Sequence, residues 1–174
     1  MQGGFMVRHK ILKFETKGKK TEYINIKDDV IAFVEESGIK NGILNVQSAH
    51  TTCAVIFEEM VHDVDIKGDE FLQVDLNHGL GKVFPKQESD DYYYRYPGPL
   101  HQEFGDRMDP DVHEDMRTLL NAHSHLRASL LGASESFAVI DGVVQTGQWG
   151  YIYFVDFDDL RPRNRKCILT IVGE

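Results

Sequence analysis

One short stretch, FAVIDGVVQ at positions 137–145, decides the fold class of this 174-residue chain. It sets Asp141-Gly142 between two apolar runs, and an Asp-Gly pair in this setting is the strongest short-range signal of a β-hairpin, because both turn residues need positive φ angles. Further strand-like runs follow at 149–157 and 167–172. The C-terminal part of the chain is therefore predicted to be a block of antiparallel strands.

Four helix signals precede this block. Asp28–Gly38 has acids in its first turn and ends on glycine, which suits the helix dipole and the left-handed C-terminal cap. Apolar residues between Asp63 and Leu80 recur at helical spacing, and Asn121–Gly132 indicates another helix that glycine ends. Asp109-Pro110 is typical of a helix start, with proline in the first turn.

The N-terminal part of the chain has two pairs of strand signals. The first pair flanks the Lys17–Lys20 turn and predicts a β-hairpin; its members are Val7–Phe14 and Glu22–Ile26. The second pair meets at the segment His50–Thr52; its members are Ile43–Val46 and Cys53–Phe57. The element order predicts a single α+β domain over residues 1–174, with largely antiparallel sheet layers and a few short helices.

Composition narrows the classes of partner. A formal net charge of -9 argues against nucleic acid, whose phosphates need clustered lysine and arginine. A local anion site at the basic cluster Arg161–Lys166 stays open. No run approaches the roughly 20 apolar residues of a membrane span, so a cytoplasmic protein is expected. Cys53 and Cys167 lie in apolar runs and are expected to be buried thiols.

Two histidine positions stand out among the eight histidines of the chain. His50 lies at a strand junction beside two threonines, where an imidazole can ligate a metal or move a proton; a purely structural strand-end histidine remains the alternative. His123 and His125 point roughly 200° apart if both lie on a helix, so only one of the two is expected to join such a site. The residues alone do not choose between them.

The start of the helix that carries these histidines suits an anion as well as a metal. Free N–H groups at a helix N-terminus bind phosphate, and Asn121 and Ser124 are suitable caps. An ion held by imidazoles would be zinc or another transition metal, whereas Mg²⁺ prefers carboxylates. Candidate carboxylates are Asp65, Asp69 and Glu70, which could equally be solvated acids.

The segment 82–109 carries three prolines and the run Tyr92-Tyr93-Tyr94-Arg95-Tyr96 without clean periodicity. A loop of this length in a compact domain is often functional, so it is a candidate lid or oligomer contact; packing of its tyrosines onto the core is the alternative. His101 lies in the same segment and could reach a site.

Four segments taken together resemble the YjbQ-type secondary thiamine-phosphate synthase family, in order and in approximate spacing, over about residues 7–174. They are His50-Thr51-Thr52, Ser124–Gly132 (SHLRASLLG), Gln145–Trp149 (QTGQW) and Arg161–Arg165 (RPRNR). The resemblance implies a compact α+β fold, a homotrimer, and a polar site with a bound metal or anion. The activity it implies couples a pyrimidine methyl diphosphate to a thiazole phosphate and releases diphosphate.

The resemblance also assigns residues. It implies His50, Thr51, Asp69 and His125 as catalytic residues, and a divalent metal, zinc or magnesium, on His50 and His125, with His123 the weaker choice. Ser124, Trp149, Arg163 and Arg165 are the residues expected to bind the phosphorylated small molecule. A non-catalytic protein that binds a metal or small ligand, and a metal-assisted hydrolase, are the competing functions.

The chain departs from the family pattern in two places. Gly150 follows Trp149 where many members have glutamine. A Tyr-x-His motif that usually precedes the Ser-His-Leu helix is obscured in the longer loop, where Tyr96 or His101 stands in. Both departures bear on the identity of the substrate and leave His50 and His125 untouched.

Overall fold

The fold was taken from a computed structural model that describes residues 4–88 and 93–174. The strands in this part of the chain are β1 (Met6–Thr16), β2 (Glu22–Asn25), β3 (Gly42–Ser48), β4 (Cys53–Glu59), β5 (Ser134–Ile140), β6 (Val143–Val144), β7 (Gly150–Asp156) and β8 (Arg163–Gly173). The helices are α1 (Lys27–Ser37), α2 (Phe71–Val83), α3 (Gly98–Met108), α4 (Pro110–Glu114) and α5 (Ala122–Leu131), with one 3-10 turn at Met116–Leu119. The predicted α+β class is confirmed.

The strands form two antiparallel sheets. The first sheet has the order β1-β8-β3-β5-β6, and the second has the order β2-β7-β4. The predicted Asp-Gly hairpin is present: Val139 pairs with Val144, and the turn residues Asp141 and Gly142 have φ angles of 52° and 81°. These positive φ angles are the ones a two-residue hairpin turn requires.

The second sheet is the middle layer of the fold. Its face towards the first sheet packs Val55, Ile152 and Phe154 into the main core together with α1. Its other face packs into a smaller core beneath α2 and α5, which contains Tyr153 and Val155. Both faces of β7 are therefore covered, which explains why its sequence is an almost continuous apolar run rather than an alternating one.

The predicted N-terminal hairpin is wrong. β1 pairs along its whole length with β8 in the first sheet, whereas β2 pairs with β7 in the second sheet. The turn between them therefore connects two sheets instead of two paired strands. Gly18 makes this crossing possible, because its φ is 62° and a Cβ at this position would overlap the backbone of Arg161.

One helix prediction is corrected and one helix was missed. α2 begins at Phe71 rather than near Asp63, because Gly68 has a φ of 80° and closes a turn in which the Asp65 amide bonds the Asp69 carbonyl. Helix α3 lies inside the segment predicted as a loop, and it begins at Gly98-Pro99 with proline in its first turn. Tyr92 of the tyrosine run lies outside the described residues.

The remaining helix and cysteine predictions are confirmed. Gly38 ends α1 in the left-handed conformation, Asp109 caps α4 through its side chain, and Gly132 follows α5. Cys53 and Cys167 are buried free thiols. In the described part of the chain, no helix combines the length and the apolarity that a membrane crossing requires.

Three crossings between the two sheets meet at one end of the sandwich. The chain leaves the first sheet for the second at 17–21 and at 49–52, and it returns at 157–162. The three crossings therefore lie close together. Thr16 and Asp156, the strand ends from which two of them begin, are 140 positions apart and are joined by a hydrogen bond.

We expect Phe154→Ala to lower the free energy of unfolding by about 3–5 kcal/mol, because the ring is fully buried between the sheets and its loss leaves a cavity. Urea titration followed by circular dichroism measures this change. The matched control is Phe5→Ala, which removes the same atoms from a ring that is 80% exposed. Equal losses in the two variants would contradict this description of the core.

Candidate functional site

An open polar cavity of about 310 Å³ lies at the end of the sandwich where the crossings meet. Its walls come from the 49–52 crossing, the 157–162 crossing with the start of β8, the first turn of α5, and the segment before α3. The lining residues are Ala49, His50, Thr51, Thr52, Tyr96, Asp109, Leu119, Asn121, His125, Asp158, Arg161, Arg163 and Arg165. It is the place where His50 and His125 face the same space.

His50 is held by a backbone group of the neighbouring sheet. The amide of Lys166 donates to its Nε2 at 2.8 Å. Burial lowers the pKa of His50 below its ordinary value, and the positive charge of Arg165 lowers it further. A neutral imidazole whose Nε2 accepts a hydrogen bond carries its proton on Nδ1, so His50 can offer a hydrogen-bond donor there.

The ring of His125 hydrogen-bonds in the opposite sense, as a donor to a backbone group. Its ring hydrogen-bonds the backbone carbonyl of Thr51, and burial lowers its pKa despite the opposing effect of the Asp158 carboxylate. Its ring centroid lies 5.3 Å from that of Tyr96, and the planes of the two rings are tilted by 59°. A neutral ring that donates from one nitrogen accepts at the other, so His125 can act as a base while His50 donates.

Three arginines line the cavity, and each is oriented by carboxylates. Arg165 makes a bidentate pair with Asp156 at 2.7 and 2.8 Å. Arg163 donates two bonds to Asp158, and Arg161 pairs with Asp109 and Asp111. Fixed guanidinium groups recognise phosphate well because their geometry is set before a ligand arrives.

The arginines differ in how far a ligand can reach them. The side chain of Arg163 is 24% exposed, whereas those of Arg161 and Arg165 are 10% and 6% exposed. Nε and Nη2 of Arg163 both donate to the Asp158 carboxylate, which also accepts a hydrogen bond from the side-chain amide of Asn121. Arg163 is therefore the arginine best placed to contact a ligand, and the buried Arg165 supports the wall behind it.

The structure brings five of the predicted site residues to the cavity and leaves three outside its lining. His50, Thr51, His125, Arg163 and Arg165 line it. Asp69 lies in a different cavity and forms an ion pair with Lys20. Ser124 is buried and its hydroxyl donates to the Phe157 carbonyl, and Trp149 is 60% exposed before β7.

The choice between His123 and His125 follows from the same helix. His123 is buried on the other side of α5, where its Nδ1 accepts from the Gln87 amide and its Nε2 lies 3.5 Å from Asp159. It makes no part of the cavity lining. His101 stays near the cavity through a 3.2 Å hydrogen bond to the hydroxyl of Tyr96.

The potential metal ligands of the cavity are already bonded to other groups of the protein; they are His50, His125, Asp109 and Asp158. Across residues 4–88 and 93–174, no group of three or more His, Cys, Asp or Glu side chains is arranged to hold a metal ion. The Nε2 of His50 is already bonded to an amide, and Asp158 is bonded to arginines. The residues present fit an anion better than a metal, and the divalent ion stays a prediction.

Three aspartates hold the arginines of the cavity in place, a role that was not predicted from their sequence positions. Asp156 and Asp158 orient the arginines, and Asp109 was recognised only as a helix cap. A signal for the first two exists in the sequence: aspartates at 156 and 158 and arginines at 161, 163 and 165 bracket one short connection. Opposite charges at that density between two apolar strands indicate an ion-pair cluster rather than a solvated turn.

We expect the free energy of unfolding to fall as the pH is lowered from about 8 to about 5, in part through His50 and His125. Both pKa values are lowered by folding, so the unfolded chain binds more protons in this range. The stabilisation that comes from the two neutral imidazoles is fully present above the histidine pKa of the unfolded chain. It is lost as the pH falls through the lower pKa that these histidines have in the folded chain. Urea titrations at several pH values should give a shallower slope for His50→Gln and His125→Gln.

The control for this slope is His62→Gln, which removes an exposed imidazole from the segment between β4 and α2. A wild-type slope in all three variants would mean that the two cavity histidines do not titrate differently in the folded and unfolded chains.

Comparison with known proteins agrees with this architecture. The family model described as "UPF0047 protein YjbQ-like" matches residues 10–174. A UPF0047 protein of Methanothermobacter thermautotrophicus is 30% identical, over 90% of this chain and 86% of its own length. The UPF0047 protein YugU of Bacillus subtilis is 29% identical, over 94% and 98%.

Solved structures give the same result. A YbjQ-like protein of unknown function from Sulfolobus solfataricus superposes with a TM-score of 0.69 at 28% identity, covering 98% of this chain and all of the other. An uncharacterised yjbq/upf0047 protein from Clostridium acetobutylicum gives a TM-score of 0.64 at 28% identity, covering 92% and 98%. The family match spans nearly the whole chain, and the chain belongs to the YjbQ (UPF0047) family.

Proposed function

We propose that the chain binds a phosphorylated small molecule in the His50–His125 cavity and catalyses a transfer of the thiamine-phosphate synthase type. The observation that carries the proposal is the convergence of two histidines of lowered pKa and an accessible, carboxylate-oriented Arg163 on one cavity. A cavity of about 310 Å³ suits part of a small substrate and is too small for a macromolecule.

The proposed reaction needs charge stabilisation more than proton transfer. The nitrogen of the thiazole phosphate attacks the methylene carbon of the pyrimidine, the C–N bond forms, and the C–O bond to diphosphate breaks with its electron pair. The leaving diphosphate gains negative charge, which Arg163 and the Nδ1–H of His50 would stabilise. The coupling itself releases no proton, so His125 would serve as a hydrogen-bond acceptor for the substrate on the facing wall.

A divalent ion would supply further charge neutralisation on the diphosphate if one is bound with the substrate. Asp158 and Asp109 are the carboxylates that line the cavity, and both are engaged by arginines. The catalytic role of Asp69 and the substrate-binding roles of Ser124 and Trp149 stay predictions. Asp69 and Trp149 would need a part of the substrate that extends beyond the cavity, and the Ser124 side chain is buried.

We also propose that the chain assembles as a homotrimer through the outer face of the first sheet. The inner face of this sheet is buried, whereas its outer face exposes Val7, Ile43 and Val172 as neighbours on β1, β3 and β8. Ile11 lies on the same face, four residues along β1 from Val7, with His9 between them. A contiguous apolar patch on a sheet is covered in most stable proteins, and a second copy of the chain is the partner we propose.

We expect calorimetry to detect binding of inorganic diphosphate by the wild-type protein. Arg163→Met should raise the dissociation constant about tenfold or more, since a charged hydrogen bond contributes about 1.5–3 kcal/mol. His125→Ala should also weaken binding without unfolding the chain. The control is Arg117→Met, which removes an arginine whose side chain is 83% exposed and lies outside the cavity lining.

Activity is tested by incubating the protein with the pyrimidine diphosphate and the thiazole phosphate, with and without a chelator. Thiamine phosphate is the expected product, and its loss with chelator would assign the metal a role. Diphosphate binding without product under any divalent metal would contradict the transferase and leave a binding protein or a hydrolase. No diphosphate binding would contradict the proposed site itself.

The trimer predicts a mass of three chains by light scattering. Ile43→Arg should dissociate it, because a charge would be buried in each interface. Ile66→Arg is the matched control, since this isoleucine is fully exposed in the turn before α2. A monomer in the wild-type protein, or an intact trimer in Ile43→Arg, would contradict the proposed interface.

A further inference from the structure

Residues 84–87 directly follow α2. Each of them bonds to α5 or to a residue near it. The carbonyl of Phe84 accepts from Arg127 at 2.7 Å, and that of Pro85 accepts from the Tyr94 hydroxyl at 2.6 Å. Lys86 forms an ion pair with Asp159. A loop held by consecutive contacts of this kind is a rigid part of the fold rather than a solvated connection.

Gln87 makes the most central contacts of the segment. Its Oε1 accepts from the amide of Ala122 at 2.9 Å, and its Nε2 donates to the carbonyl of Tyr96 at 2.7 Å. Its own amide donates to Nδ1 of His123. The side chain is 2% exposed, so all of these bonds are shielded from water.

The two partners of the Gln87 side chain belong to different segments that form the cavity, α5 and the segment before α3. Ala122 is the first residue of α5, which carries His125 one turn later. Tyr96 lies on the loop side, with its ring against the His125 imidazole and its hydroxyl on His101. One amide group therefore joins the backbone of Tyr96 to the helix that presents His125.

We propose that Gln87 is a positioning residue of the candidate site, whose amide holds Tyr96 against His125 by bonding the Tyr96 carbonyl and the start of α5 at once. The effect of Gln87 on ligand binding rests on the proposed function, whereas its hydrogen bonds to Tyr96 and α5 do not depend on any ligand. Gln87 also caps α5 from a distance, since Asn121 at the N-cap position makes no side-chain cap bond.

The chemistry of this position calls for a neutral amide. One partner is a donor and the other is an acceptor, and asparagine and glutamine are the neutral side chains with one group of each kind. A glutamate at 87 would keep the bond from Ala122 and place a second oxygen against the Tyr96 carbonyl. A methionine would fill the same volume and lose both bonds, leaving a buried amide and a buried carbonyl unpaired.

The test compares Gln87→Glu and Gln87→Met with the wild-type protein by nuclear magnetic resonance at neutral pH. Both variants should lose the nuclear Overhauser contacts between the Tyr96 and His125 rings, and the His125 ring protons should shift because the aromatic ring has moved away. His50 is the internal control, because its partner is the Lys166 amide. Glu88→Gln, at the exposed neighbouring position, is the matched control variant.

The binding of diphosphate is the second readout. Each Gln87 variant should raise the dissociation constant several-fold, while Glu88→Gln leaves it unchanged. A wild-type protein that binds no diphosphate contradicts the proposed function, and the ring contacts still decide the role of Gln87. If Gln87→Met fails to fold, Gln87→Glu decides, since it keeps the bond to α5.

Two results would overturn the proposal. One is a folded Gln87→Glu variant in which the Tyr96–His125 contacts and the His125 shifts are unchanged. The other is a shift of the His50 signals as large as that of the His125 signals, which would show a general loosening instead of a specific loss of position.

Discussion

The buried ion pair between Arg165 and Asp156 is the interaction on which the site depends. Arg165 lies near the start of β8 in the first sheet, and Asp156 ends β7 in the second, so the pair ties the two sheets together where the chain crosses between them. Asp156 also accepts from the hydroxyl of Thr16 and from the thiol of Cys53. Removing either partner of a buried ion pair strongly destabilises a protein, because the remaining charge is left unpaired and away from solvent.

The position of the cavity follows from that constraint. Because the sheets are joined at one end, the crossings at 49–52 and 157–162 lie side by side, and His50 reaches the amide of Lys166. Helix α5 then covers the same end and brings His125 to the carbonyl of Thr51. The walls of the site are thus built from strand ends and a helix start, which are rigid supports, and the loop side is held by Gln87.

The electrostatics of the cavity depend on its arginines, on the aspartates paired with them and on the two histidines. Each arginine is oriented by an aspartate, which lowers the net positive potential while fixing the direction of the guanidinium groups. Burial lowers the pKa of both histidines, which favours the neutral imidazole. A cavity of this kind selects ligands by geometry as much as by charge.

The amino-acid sequence by itself determined the elements whose signals are local: the Asp141-Gly142 hairpin, the helix that Gly38 ends, and the α+β class. Through the resemblance of short motifs it also predicted His50 and the arginines at 163 and 165 as site residues, and these three line the cavity. Tertiary structure alone decided that β1 and β2 belong to different sheets, that His125 rather than His123 faces the cavity, and that Asp69 does not. The reason is physical: turn and capping preferences act over a few residues, whereas strand partners and cavity walls are chosen by packing between segments far apart in the chain.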